Sequence, residues 1–103
     1  MHANISRGIK IMHVYEFTLT LDVEPDLDTI DRLYGYFGAH GAAPAGVQDF
    51  TLAMLSGMPI ANCTIKATSF DAALQLVLPR LCQEGLRVVR AELDEEGLAL
   101  FRI

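Results

Sequence analysis

At 103 residues, 51% of them apolar and 20% charged, the chain can build one domain around one core and is too apolar to remain disordered. Its net charge of −5 argues against nucleic acid, whose phosphates need clustered Lys and Arg. The eight basic residues are scattered, and without Arg7 and Lys10 six of them face all thirteen acidic ones.

No apolar run approaches the roughly 20 residues of a membrane-spanning helix, and Met1 to Met12 lacks the pattern of a signal peptide. A cytoplasmic address without membrane contact is therefore expected. Cys63 and Cys82 suit it as two reduced structural thiols, because their separation excludes a C-x-x-C motif and no His stands at ligand spacing from either.

Residues 1–11 show no periodicity and read as a flexible lead-in to a single α+β domain over 12–103. From His13, the residues Tyr15, Phe17, Leu19 and Leu21 alternate with Glu16, Thr18, Thr20 and Asp22, the period-2 pattern of a half-buried strand. Pro25 stops it. Asp26 or Asp28 can cap a helix whose apolar stripe is Leu27, Ile30, Leu33, Tyr34 and Phe37, with Gly38 suited to a left-handed residue after the last turn. Residues 38–46, rich in Gly and Ala around Pro44, predict a loop. Asp49 to Leu55 and Ile60 to Thr68 predict two strands joined through the turn residues Ser56-Gly57-Met58-Pro59, hence a hairpin.

Thr68 or Ser69 caps the second helix, Thr68 with Asp71 approximating a capping box, and its inward stripe is Phe70, Ala73, Leu74, Val77 and Leu81. Pro79 removes an interior hydrogen bond, so this helix kinks or divides there before ending at Gly85. Leu86 to Leu93 predict a fourth strand, Asp94 to Gly97 a turn, and Leu98 to Ile103 a further short strand. Two crossovers flanking a hairpin give a ferredoxin-like βαββαβ two-layer sandwich, an antiparallel sheet with two helices on one face. Val88 or Val89 joins the helix-covered face. The other face carries Glu16, Thr18, Thr20, Thr51, Asn62, Thr64, Lys66 and Arg90, with Glu16, Lys66 and Arg90 expected to neutralise one another as cross-strand neighbours.

No catalytic or metal-binding constellation emerges. The acidic run Asp22, Glu24, Asp26, Asp28, Asp31 departs from a calcium loop, with Leu27 at its Gly position and Leu33 at its bidentate Glu. His40 has no triad partner at a telling spacing, and the glycines of 35–46 form no phosphate loop. A sheet face of Thr, Asn, Lys and Glu lacks the aromatics on which RNA bases stack.

The run Phe17-Thr18-Leu19-Thr20-Leu21-Asp22, the turn Gly57-Met58-Pro59, then Ser69, Ala73 and Gly85-Leu86-Arg87-Val88-Val89-Arg90-Ala91-Glu92 resemble the N-terminal ferredoxin-like domain of small bacterial antitoxin-like or helix-turn-helix proteins. The resemblance spans most of residues 14–96. Ala39-His40-Gly41 stands where that family has an acidic pair, and no helix-turn-helix follows, so the resemblance implies the accompanying module without DNA binding.

The resulting expectation is a non-catalytic protein-interaction or self-association module, a homodimer or a domain docking on a protein partner, with no cofactor, no metal, no nucleic acid and no membrane. Thr51, Leu76, Phe101 and Ile103 are its candidate interface, Leu76 and Tyr36 lying off the inward helix stripes. The second strand, with Asp49 as its one charge, is the less protected sheet edge. Two other readings are a small-molecule-binding regulatory domain and a cofactor-free enzyme of the dimeric α/β-barrel type with His40 or His13 in its pocket.

Overall fold

A computed structural model describes residues 11–38 and 44–94 of the chain. Within them lie β1 (His13–Leu21), α1 (Leu27–Phe37), β2 (Val47–Leu55), β3 (Met58–Ala67), α2 (Phe70–Gln75), α3 (Leu78–Gln83) and β4 (Val88–Leu93). The strands form one antiparallel sheet in the order β2-β3-β1-β4, which makes β2 and β4 the outer strands among the described residues. The tail segment 98–103 lies outside the described residues.

The alternation in β1 is the origin of the core. Tyr15, Phe17, Leu19 and Leu21 are buried, and they meet Ile65, Cys63 and Ala61 of β3 across the sheet. From the helices, Leu33, Phe37, Ala73, Val77 and Leu81 close over this face. Phe37 stacks on Phe50 at 4.4 Å and Phe70 meets Phe17 edge-on at 5.2 Å, so α1 and α2 are each fastened to the sheet by an aromatic pair.

Local chemistry sets the boundaries. Asp26 caps α1 by accepting the Thr29 N–H at 2.8 Å, and that bond holds its carboxyl below the usual carboxylate range. Ser69 caps α2 through the Ala72 N–H, so the expected Thr68–Asp71 box does not form. Ser56 and Gly57, at φ of 52° and 81°, make the two-residue turn whose twist suits a hairpin, so β3 begins already at Met58. At the end of α3, Gly85 at φ 80° sends its N–H to Cys82 and the Leu86 N–H to Leu81, a Schellman closure sealed by burial of both leucines.

Several expectations are corrected. Gly38 is not left-handed, with φ of −115°. Leu27 is 78% exposed rather than inward, while Thr29 takes the buried position and accepts a hydrogen bond from Arg32. The second helix divides, as expected. Leu76 and Val77 bond back three residues to Ala73 and Leu74, and Pro79 falls in the first turn of α3, where a missing N–H costs nothing. A register shift between Thr20 and Leu21 sets Val88 against Leu21 on the core side and leaves Val89 exposed.

Candidate interaction surface

The sheet face away from the helices is built by the residues that alternate with the core. The register places Thr51, Asn62, Thr18 and Glu92 in one row across the four strands, and Ala53, Ile60, Thr20 and Arg90 in the next. Thr18 is the polar centre, its hydroxyl within 2.9 Å of Asn62 Oδ1 and 3.3 Å of Asp94 Oδ1. Glu16, Lys66 and Arg90 are not directly opposite one another in the register. Thr64 stands opposite Glu16, Val14 opposite Lys66 and Thr20 opposite Arg90, while Arg90 pairs along its own strand with Glu92 at 3.0 Å.

The same alternation turns apolar toward the β2–β3 turn, because Ala53, Leu55, Met58 and Ile60 occupy the outward positions there. Of the nine exposed large apolar side chains among the described residues, Leu55, Met58 and Val89 border one recess at this end and Met54 borders another, each between 46% and 59% exposed. Ile60, almost fully buried, sits between two shallow recesses. One, of about 350 Å³, is bordered by Leu55, Met58, Val89 and Arg90. The other, of about 200 Å³, is bordered by Pro25, Ile30, Leu52 and Met54. The second is below the roughly 300–1,000 Å³ usual for small-molecule sites.

Along the outer side of β2 runs an open polar groove of about 650 Å³ between Tyr34, Phe37, Pro44 and Asp49. Here Tyr34 reaches across from α1 to the strand edge. Its hydroxyl accepts the Leu52 N–H at 2.8 Å and lies 3.5 Å from the Leu52 carbonyl. The edge expected to be unprotected is therefore occupied at its centre. On the helical side, Glu84 receives Arg32 at 2.8 Å and Arg80 at 3.6 Å, and Arg80 lies over the Tyr36 ring at 4.4 Å. Glu84 holds the Arg32 guanidinium above its ordinary pKa, and Tyr36 is committed to this cluster rather than to an outer contact surface.

Of the anticipated interface residues, Thr51 and Leu76 lie within the described residues, in different layers. Thr51 is exposed on the open sheet face, whereas Leu76 is half-buried in the helical layer, packed on the core beside Gly46. Phe101 and Ile103 lie outside the described residues, as does His40. His13 is exposed at the far end of β1 and borders none of the three recesses. Cys63 is buried and its thiol is pushed up to about 12, while Cys82 is exposed. No group of three metal-binding side chains occurs among the described residues, nor a helix long and apolar enough to cross a membrane.

Sequence reasoning missed the apolar end and the Tyr34 contact. For the first the signal was present, since Leu55 and Met58 flank the turn at outward positions of two alternating strands. The second had no sequence signal, because it depends on how α1 lies across β2. In comparisons with known proteins, no family model and no curated protein matches the chain.

Proposed function

We propose that the protein is a non-catalytic interaction module that self-associates through the apolar end at the β2–β3 turn. The observation that carries this reading is the exposure of Leu55, Met58 and Val89 around one recess beside the β2–β3 turn, with Met54 bordering the next. Exposed apolar side chains set together and rimmed by polar residues mark contact surfaces in a way that singly scattered ones do not. Arg90 and Glu92 supply both charge signs at the rim, so two copies related by a two-fold axis can meet without net repulsion there.

In this reading the architecture is the ferredoxin-like βαββαβ sandwich, with α2 and α3 counted as one helix divided before Pro79. The strand order and the two aromatic fastenings support it. The similarity to the bacterial antitoxin-like module belongs to the same proposal, as does a cytoplasmic location.

Light scattering at micromolar concentration tests the function. The expected mass is that of two chains, falling to one chain in Leu55→Lys/Met58→Lys. A one-chain mass that does not change on tenfold concentration removes self-association. A dimer indifferent to both lysines removes this surface.

A further inference from the structure

β2 has the properties of an edge that recruits other strands. It is nine residues long, carries Asp49 as its one charge and has no proline, and beyond the register shift between Val47 and Asp49 it runs regularly to Leu55, with Leu52 half-buried and Met54 exposed. Natural sheets blunt such edges with charge, proline, bulges or a covering element. β4, the opposite outer strand, has Arg90 and Glu92 for this purpose. In β2 the backbone groups of Leu52 turn away from β3, as the bond from its N–H to Tyr34 requires, and alternation turns those of Phe50 and Met54 the same way. Another strand adding to β2 would have to pair with this row, and its central position is taken.

We propose that the Tyr34 hydroxyl guards the β2 edge, taking up the Leu52 N–H and standing over its carbonyl so that a second copy of this chain cannot extend the sheet there. The ring is suited to the task because α1 and the core hold it. Tyr34 packs against the cluster and meets Phe50 edge-on at 6.2 Å, so its oxygen is presented to the strand by a fixed lever. A phenolic oxygen both accepts and donates, which is what a residue with an outward N–H and an outward C=O needs. The guard leaves the apolar end accessible and closes the open-ended mode of assembly, in which each added copy exposes a new edge. This role does not depend on the self-association proposed above, because a monomer needs the same protection.

Tyr34→Phe removes the one oxygen and keeps the ring. The expected result is a folded protein with an unchanged circular dichroism spectrum. Its Leu52 amide exchanges about tenfold faster or more, as an edge amide released to water does. Its mass grows with concentration beyond that of the parent, whether the parent is a dimer or a monomer. Adding Thr51→Lys, a charge on the same strand, should return the variant to the parent mass. In the unaltered protein the Leu52 amide should exchange as slowly as amides inside the sheet. A fast Leu52 amide in the parent overturns the proposal, and so does a Tyr34→Phe protein whose mass matches the parent at every concentration. The self-association reading fails separately, on the mass of the parent alone.

Discussion

The Gly46 carbonyl accepts the Lys66 N–H at 2.7 Å, and the two backbones lie so close that a Cβ on Gly46 would stand 2.6 Å from the Lys66 oxygen. Gly46 also sits at φ 100°, a conformation that side chains of L-residues rarely adopt. The pair anchors the start of β2 just before the register shift between Val47 and Asp49. Gly46→Ala therefore meets strain and backbone overlap together, and should cost about 2–4 kcal/mol in urea denaturation. Gly57, at φ 81° with open space around it, is the control, and its alanine variant should lose only about 1 kcal/mol. Equal losses at the two sites would show that conformation alone, and not the approach to Lys66, sets the cost.

Pro79→Ala tests what divides the second helix. From sequence, proline is the cause of the interruption, and its removal should then lengthen the helix and stabilise the fold. The structure places the interruption before Pro79, at Leu76 and Val77, where the chain tightens to bury Val77 completely. Proline in the first turn of α3 gives up no hydrogen bond. Alanine should leave the helical circular dichroism unchanged and lower stability by up to about 1 kcal/mol, through the greater freedom of the unfolded chain. A gain in both signals would return the cause to proline.

What the sequence made legible follows the range of the forces involved. The strand alternation of Tyr15 to Leu21, the cap-forming Asp26 and Ser69, the Ser56–Gly57 turn and Gly85 are short-range patterns, and each stands where its neighbours imply. Leu27 shows the limit. It lies on the apolar stripe by spacing, yet it is the first residue of α1, and the small Thr29 turns inward instead. The candidate surface was the least legible part. Ile60 and Met58 read as strand and turn residues, and their place beside Val89 and Leu55 depends on strand order and on the shifted β4 register.

Asp26 gives the cap a pH signature. Its carboxyl pKa is lowered, first by the Thr29 backbone N–H, so the folded state favours the carboxylate. The stabilisation is present above the unfolded carboxyl pKa, near 3.9, and is lost as pH falls through the lower folded value. Asp26→Ala should lower the thermal midpoint at neutral pH, and the gap to the parent should narrow in strong acid. Asp26→Asn, which can still accept the Thr29 N–H, should stay nearer the parent at neutral pH. A gap for Asp26→Ala that persists undiminished well below pH 3 would sink the cap as its source.

Cys63 and Cys82 should behave as chemically different thiols. Cys63 is buried, and desolvation raises its pKa from 9.0 to about 12, with Asp49 and Asp94 adding smaller effects of the same sign. Cys82 is exposed on α3. A thiol reagent at pH 8 should therefore modify one cysteine per folded chain and both in denaturant. Burial as a neutral thiol also links folding to alkaline pH, because the unfolded state loses the proton first. The stability this contributes is complete below about pH 9 and falls between there and about 12, by roughly 1.4 kcal/mol per pH unit where the difference is fully expressed. Cys63→Ala should be less stable than the parent near neutrality, since it leaves a void in the core. It should also lose less stability than the parent as pH is raised from 9 to 11. Denaturation curves at pH 7, 9 and 11 decide the matter: parallel losses in the parent and in Cys63→Ala would assign the alkaline weakening to other groups.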